Sequence, residues 1–503
     1  MGKSDRSHLY ITSLNPEVTG SLNQVVVQLP NGREIIFIVD CGLFQEDEYN
    51  YLNREHFAFD CSKVNFVIIT HNHADHMARL PLLAKEGYRG KYYATTQTAK
   101  LMPIALGNSF QILNEDAKKR KEKPLYDEFD LENVRKNIIP CELGEVEYVD
   151  PNVKVTFFDN GHLIGAAMVL VQISYPGEED INLFFTGDYK PKSMLRDVDP
   201  LPDWVYELPV TVVTEATYGY MDSDEISYHF VDDVIETVRN GRTAVIFVFA
   251  QGRAQEVIYE LNFSKLEKRL NSQMQIKLDG KLAHEYTRTY LRDDMGVKPE
   301  IRELLKNYEP ITPEMRQEII RSKEQQIILT TSGMADHGPA QVYVPEFVTR
   351  SNVDMYFTGY TAEKTLGYKL QHPEEDGCVT VMGRKLKVNA QIKSTNEFSS
   401  HAKADEIIEL LQRFKHLNFV LINHGETQVK EQFAERVANE VHVKKVDVLG
   451  GNYTFKVSRY GYLKHMFSRL TPPKTDFIED KKTKKSHPKA KKVCKVIRQF
   501  FAH

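Results

Sequence analysis

The chain lacks any apolar run long enough to cross a bilayer. Its longest ones, such as Ala244 to Ala250, fall far short of the roughly 20 residues that a spanning helix needs. The N-terminal MGKSDRSHLY is polar, which predicts no secretory signal. Arg6 stands where N-myristoylation calls for Ser or Thr. Cysteine is scarce: Cys41, Cys61, Cys141, Cys378 and Cys494 are widely scattered, with no CxxC pair. That argues against a disulfide framework or a cysteine zinc site and points to a reducing compartment. No repeat of about 20–50 residues is visible, which argues against a solenoid. What remains is 503 residues, 41% hydrophobic and 27% charged, an ordinary globular balance with length for about three domains. A soluble, cytoplasmic protein without membrane contact is expected.

The net charge of −5 hides an asymmetry. Residues 481–503 carry nine Lys or Arg and no acid, so the rest of the chain stands at −14. A basic tail on an acidic body suits a polyanionic partner. A solvated terminus and a nuclear address remain open for the same residues.

Short β-branched or aromatic runs recur: EIIFIVD (34–40), VNFVIIT (64–70), VKVTFFD (153–159), INLFFTGD (181–188), VTVVTE (210–215), TAVIFVFA (243–250), QQIILTT (325–331), VDMYFT (353–358) and NFVLIN (418–423). Their length and flanks predict buried strands. Stretches with helical apolar spacing lie between them, as at Arg253 to Leu270 and Ala404 to Phe414. The alternation gives an α/β class. Asp40, His71, Asp188, Glu215 and His424 each sit just past the end of one run. Ligands of α/β sheets bind at the carboxyl ends of strands, so one shared site is expected there. The Pro-containing segment 198–209 reads as a linker, and TPPK (471–474) opens the tail.

THNHADHMARL supplies His71, His73, Asp75 and His76 within six residues. A lone histidine is usually a surface or core residue, but three with an aspartate directly after a buried strand form a ligand set for Zn²⁺ and its neighbours. In a loop, the first two can face one ion and the last two another. A helix would set the first two about 200° apart. His162 (DNGHLIGAA), Asp188 (FTGDY) and His424 (INHGE) bring the count to seven N/O ligands, enough for two metals that share a bridging carboxylate.

These residues resemble the metallo-β-lactamase superfamily, and specifically its β-CASP nuclease branch. HNHADH is similar to the HxHxDH motif, DCGLFQ with Asp40 to the first motif, and GHLIGAA and TGDY to the third and fourth. TEATYG with Glu215, SSHA with His401 and NHGE with His424 resemble the three β-CASP signatures. The likeness is collinear over about residues 8–460. It implies an αββα metallo-β-lactamase sandwich at about 1–206, a β-CASP insert at 207–385, the returning sandwich at 386–470 and the basic tail at 471–503. It further implies that His71, His73 and His162 hold one zinc and that Asp75, His76 and His424 hold the other. Asp188 would bridge them, Asp40 would orient ligands, and manganese is the alternative metal.

The implied chemistry is phosphodiester hydrolysis leaving a 5′-phosphate and a 3′-hydroxyl. His401 would protonate the departing oxygen, with Glu215 on its other nitrogen. Arg253, which opens a helix in QGRAQE, suits a substrate phosphate, or else an ordinary salt bridge. Ser332 and Gly333 are weaker candidates, and Tyr360 reads as well as a core residue. Lys403 stands where the family commonly has an aspartate two residues after the motif B histidine, and Asp405 follows.

DNA-repair members carry an apolar residue at the motif C histidine, so His424 favours the RNA-processing group. TSGMADHGP is more similar to the cleavage-and-polyadenylation type than to ribonuclease J. The expectation is an endoribonuclease on single-stranded RNA, with 5′ exonuclease action as a second mode and a homodimer among the forms relatives adopt. The alternatives are a repair-type DNA nuclease, a small-molecule hydrolase, which needs no insert, and a silent scaffold, which would have lost ligands.

Overall fold

The computed structural model describes residues 8–467 apart from 16, 47, 226–228, 363, 451–452 and 459–462. The basic segment 481–503 and Cys494 therefore lie outside the described residues. Three large sheets organise the chain. The first has eight strands, in the order Leu463–Phe467, Tyr453–Ser458, His8–Ser13, Asn23–Gln28, Glu34–Val39, Phe66–Ile68, Lys91–Thr95 and Ile138–Cys141. The second has seven: Lys445–Val448, His416–Ile422, Pro209–Thr214, Ile181–Phe185, Ala167–Ile173, Val153–Asp159 and Val146–Asp150.

Period-two packing explains why so many of these strands read as unbroken apolar runs. In Ala167–Ile173, Val169 and Val171 point into the core between the two sheets, with Phe37, Phe157 and Leu183. Met168 and Leu170 point the other way, onto a core shared with helices Ala404–Gln412 and Thr427–Glu440. A strand apolar on both faces must be covered on both. The result is helix, sheet, sheet, helix, the αββα sandwich expected from the sequence.

The third sheet has six strands, all parallel: Glu309–Pro310, Ile276–Asp279, Ile327–Thr330, Thr243–Phe247, Val353–Phe357 and Gln391–Ser394. Helix Arg253–Leu266 covers one face through Ala254, Val257, Ile258 and Leu261, within a core that continues to Leu101 and Tyr92 under the first sheet. The sandwich and the inserted sheet thus share one apolar seam, which fixes the cleft between them.

The structure corrects some local readings. Segment 198–209 is no free linker: Leu201, Val205 and Tyr206 are buried in a core, and Pro209 already starts a strand of the second sheet. The helix from Arg253 ends at Leu266, short of Leu270. The run 243–250 holds a strand only to Phe247, after which the chain turns and leaves Phe249 37% exposed. Cys41, Cys61, Cys141 and Cys378 are free thiols. No described helix is long and apolar enough to cross a membrane.

Candidate metal centre

The site is assembled by loops at the ends of strands from both sandwich sheets. Strand Glu34–Val39 ends at Asp40, whose left-handed backbone (φ 62°) turns its carboxylate inward. Buried there, it accepts hydrogen bonds from the Thr70 amide (2.8 Å) and hydroxyl (2.7 Å) and meets His76 Nδ1 at 2.8 Å. It thereby fixes the HNHADH loop and leaves His76 Nε2 facing the centre. His73 caps the short helix Ala74–Met77, which carries Asp75 and His76. His162 Nδ1 lies 2.9 Å from the Ser400 carbonyl oxygen, so its Nε2 faces the centre as well.

Asp188 lies in the middle. Its Oδ2 is 3.5 Å from His71 Nε2 and 3.6 Å from His162 Nε2; its Oδ1 is 3.2 Å from His76 Nε2 and 3.5 Å from His424 Nε2. The donor atoms of His71, His73, His162 and Asp188 fall within 4.8 Å of one another, and so do those of Asp75, His76 and His424. The structure therefore brings all seven expected ligands into two sets, one at each Asp188 oxygen.

His162 Nε2 and His73 Nδ1 lie 3.2 Å apart, but four other atoms of the centre are left without a hydrogen bond. His71 Nε2, His76 Nε2, His424 Nε2 and Asp188 Oδ1 are buried with no hydrogen-bond partner. An unsatisfied buried polar group costs about 1–3 kcal/mol, so four converging on one point fit cations. The electrostatics agree. Burial holds His71 and His162 well below the usual imidazole pKa and pushes His73 down to about 4, which keeps their lone pairs free. Burial opposes charge on His76 and His424 too, but the Asp188 carboxylate outweighs it and raises both. Burial would likewise raise Asp188, yet His424 and His76 hold it well below the carboxylate range. A cation can replace the protons on that second histidine pair, with their release.

Beside the ligands sits a second constellation. His401 Nδ1 lies 2.8 Å from Glu215 Oε2, and Glu215 Oε1 accepts the Tyr189 amide hydrogen at 2.5 Å. His401 Nε2 is 3.9 Å from Asp188 Oδ2, so its free nitrogen points at the metal ligands. The position of Lys403 is accounted for by Tyr218: the buried Nζ finds no hydrogen-bond acceptor and lies 3.5 Å from the Tyr218 ring centroid. Asp405 instead accepts from the Ser223 amide at 3.0 Å.

A cavity of about 420 Å³ opens onto this centre, with His73, Asp75, His162, His401 and Arg253 in its wall. Arg253 is 7% exposed, donates Nη2 to the Phe398 carbonyl and has Nη1 unpaired. Tyr360 stands at the cavity, 57% exposed, which overturns its core reading. Ser332 does not reach the cavity lining; its hydroxyl accepts from the His337 amide at 3.4 Å. Gly333 likewise lies outside the lining and packs against the Phe249 ring. Sequence reasoning missed Tyr218 and Phe249, along with the reciprocal amide pair Asn72–Gln251 (2.7 and 3.0 Å), which joins the HNHADH loop to the inserted sheet. All four sit inside motifs already noticed, Tyr218 in TEATYG, Phe249 in TAVIFVFA, Asn72 in HNHADH and Gln251 in QGRAQE, but nothing in those motifs singled them out.

The metallo-beta-lactamase superfamily matches residues 19–155, the Beta-Casp domain residues 254–370, and the Zn-dependent metallo-hydrolase RNA specificity domain residues 385–449. Ribonuclease TTHA0252 of Thermus thermophilus is 30% identical over 428 residues, which is 82% of this chain and 91% of that protein. The chain belongs to the β-CASP branch of the metallo-β-lactamase superfamily. Transcription termination factor FttA of Methanosarcina mazei is similar at 30% over 435 residues, 81% of this chain and 66% of the factor. The same factor from Methanocaldococcus jannaschii is 29% identical over 437 residues, 82% of this chain and 66% of that protein. The chain thus spans about two thirds of the length of these archaeal β-CASP relatives.

Proposed function

We propose that the chain is a two-metal phosphodiesterase that cleaves RNA, chiefly as an endonuclease and secondarily from the 5′ end, leaving a 5′-phosphate and a 3′-hydroxyl. The carrying observation is Asp188, whose two oxygens face two separate sets of buried histidines, with His71, His76 and His424 each keeping a ring nitrogen without a hydrogen bond. His71, His73 and His162 would hold one zinc ion, Asp75, His76 and His424 the other, with Asp188 between them; manganese suits the same N/O donors. Such a pair, when bound, lowers the pKa of water and neutralises charge building on the phosphate oxygens.

The protein's own groups do the rest. Glu215 fixes a proton on His401 Nδ1 and so sets the tautomer and ring plane. His401 Nε2 then delivers a proton to the departing 3′ oxygen, a contribution of roughly 10²–10⁴ in rate. Asp40 holds His76 in orientation through its other nitrogen. Arg253 offers an unpaired Nη1 to a substrate phosphate and Tyr360 a ring at the cavity. The expected insert boundaries of about 207 and 385 shift, since strand Pro209–Thr214 lies in the second sandwich sheet and Gln391–Ser394 in the inserted sheet. The proposed division sets the insert after Thr214 and up to about Ser394, around the Beta-Casp match at 254–370.

The test is purified protein of measured metal content, given RNA and DNA of equal sequence labelled at either end. Internal RNA fragments are expected, lost with Asp188→Ala and slowed about 10²–10⁴-fold by His401→Ala. Equal or preferred cutting of DNA sinks the RNA assignment, and full turnover by Asp188→Ala sinks the mechanism.

A further inference from the structure

The inserted sheet ends in an aromatic platform that the chemistry above does not use. Phe249 follows strand Thr243–Phe247 and turns its ring into the wall of the cavity, 37% exposed, where residues of a strand run ordinarily stay in the core. Two glycines seat it. A Cβ on Gly333 would stand 2.9 Å from the ring. One on Gly359 would stand 3.4 Å from the ring and 2.9 Å from Arg253 Nη1. The ring and the guanidinium therefore share one glycine as their common neighbour. Arg253 is itself more than nine-tenths buried, and its Nη1 has no hydrogen-bond partner.

A flat apolar face beside a buried guanidinium, whose Nε meets Glu256 Oε2 at 3.5 Å while Nη1 stays without a hydrogen bond, matches the two halves of a nucleotide. The guanidinium fits phosphate oxygens, and base–aromatic stacking is the usual device of single-strand binding. We propose that Phe249 and Arg253 form a nucleotide subsite, with Arg253 on a phosphate and Phe249 stacked on the adjoining base, so that the cavity takes only unpaired RNA. A base in a duplex already has neighbours on both faces and cannot lie on Phe249 without unstacking. The subsite rests on the ribonuclease reading and gives it a substrate class, a strand unpaired at the cut.

The test replaces each nucleotide of a cleavable RNA in turn by an abasic one. With the wild-type chain, one position near the cleaved linkage should raise KM roughly tenfold or more. In Phe249→Ala the intact RNA should show that same rise and the abasic position should cost nothing further. Phe249→Trp should restore the wild-type pattern, whereas Phe249→Leu, which keeps an apolar side chain on the two glycines, should not. An abasic penalty of equal size in wild type and Phe249→Ala overturns the subsite. If the wild type cuts no RNA, the ribonuclease reading fails, and 2-aminopurine placed at each position in turn decides stacking by binding alone. Quenching on binding that is lost in Phe249→Ala supports the subsite; quenching that persists overturns it.

Discussion

Glu215 uses both carboxylate oxygens at once, one toward His401 Nδ1 and one on the Tyr189 amide. Glu215→Gln keeps the size but turns one of those acceptors into a donor. Turnover is expected to fall about 10–100-fold, the usual cost of losing an orienting partner, while bound metal is unchanged; a variant that loses metal instead gives Glu215 a different role. Lys403 is the opposite case, a charge with no acceptor. Burial pushes its pKa down from 10.5 to about 8, and the Tyr218 face offers only partial compensation. Between those two values the unfolded chain binds more protons than the folded one, so folding stability rises with pH across that window. Melting curves from about pH 7.5 to 10 should show wild type gaining on Lys403→Met, whose side chain carries no charge; a constant gap between them refutes the assignment. The proposed metal ligands were legible because three histidines and an aspartate fall within six residues. The Lys403–Tyr218 contact was not, since 184 intervening residues separate two ordinary ones.

Helix Ala74–Met77 shows how backbone, more than side chains, places two of the seven proposed ligands. Its carbonyls take hydrogen bonds from Ser21, Cys41 and Leu43, at 2.9, 2.6 and 3.0 Å. That closeness requires Gly42, where a Cβ would meet the Asp75 carbonyl oxygen at 1.5 Å. Gly42→Ala must therefore push Asp75 and His76 outward. Overpacking of this kind costs about 1–3 kcal/mol, and metal titration should find the affinity at one of the two proposed ion positions reduced at least tenfold, on the order of 1.4 kcal/mol. Unaltered affinity for both would sink the argument. Strands apolar on both faces, such as Ile181–Phe185, were readable as runs. His8–Ser13, Asn23–Gln28 and Lys91–Thr95 mix polar with apolar positions and escaped notice, although they complete the sheet that carries Asp40 and the histidine loop. Phe249 was hidden for the converse reason: it closes an apolar run, and nothing in the order of residues tells where the strand stops and the cavity begins.

For the molecule as a whole, the site is a convergence of strand-end loops that lie far apart in the sequence. Ions that bind only the folded arrangement stabilise it by mass action. Chelator-treated protein should melt several degrees lower than metal-loaded protein, and readdition of zinc should restore the transition. Identical melting after the metal has been stripped would mean that the site is held without it. The α/β class and the sandwich with its insert could be anticipated from the spacing of runs and motifs. The shared apolar seam and the cavity could not, because they depend on how separately folded sheets lean together. The ligands run from His71 to His424, so a polypeptide still emerging from the ribosome carries at most a fragment of the centre. The proposed centre can close only after His424 has been made and strand His416–Ile422 has joined its sheet beside Pro209–Thr214.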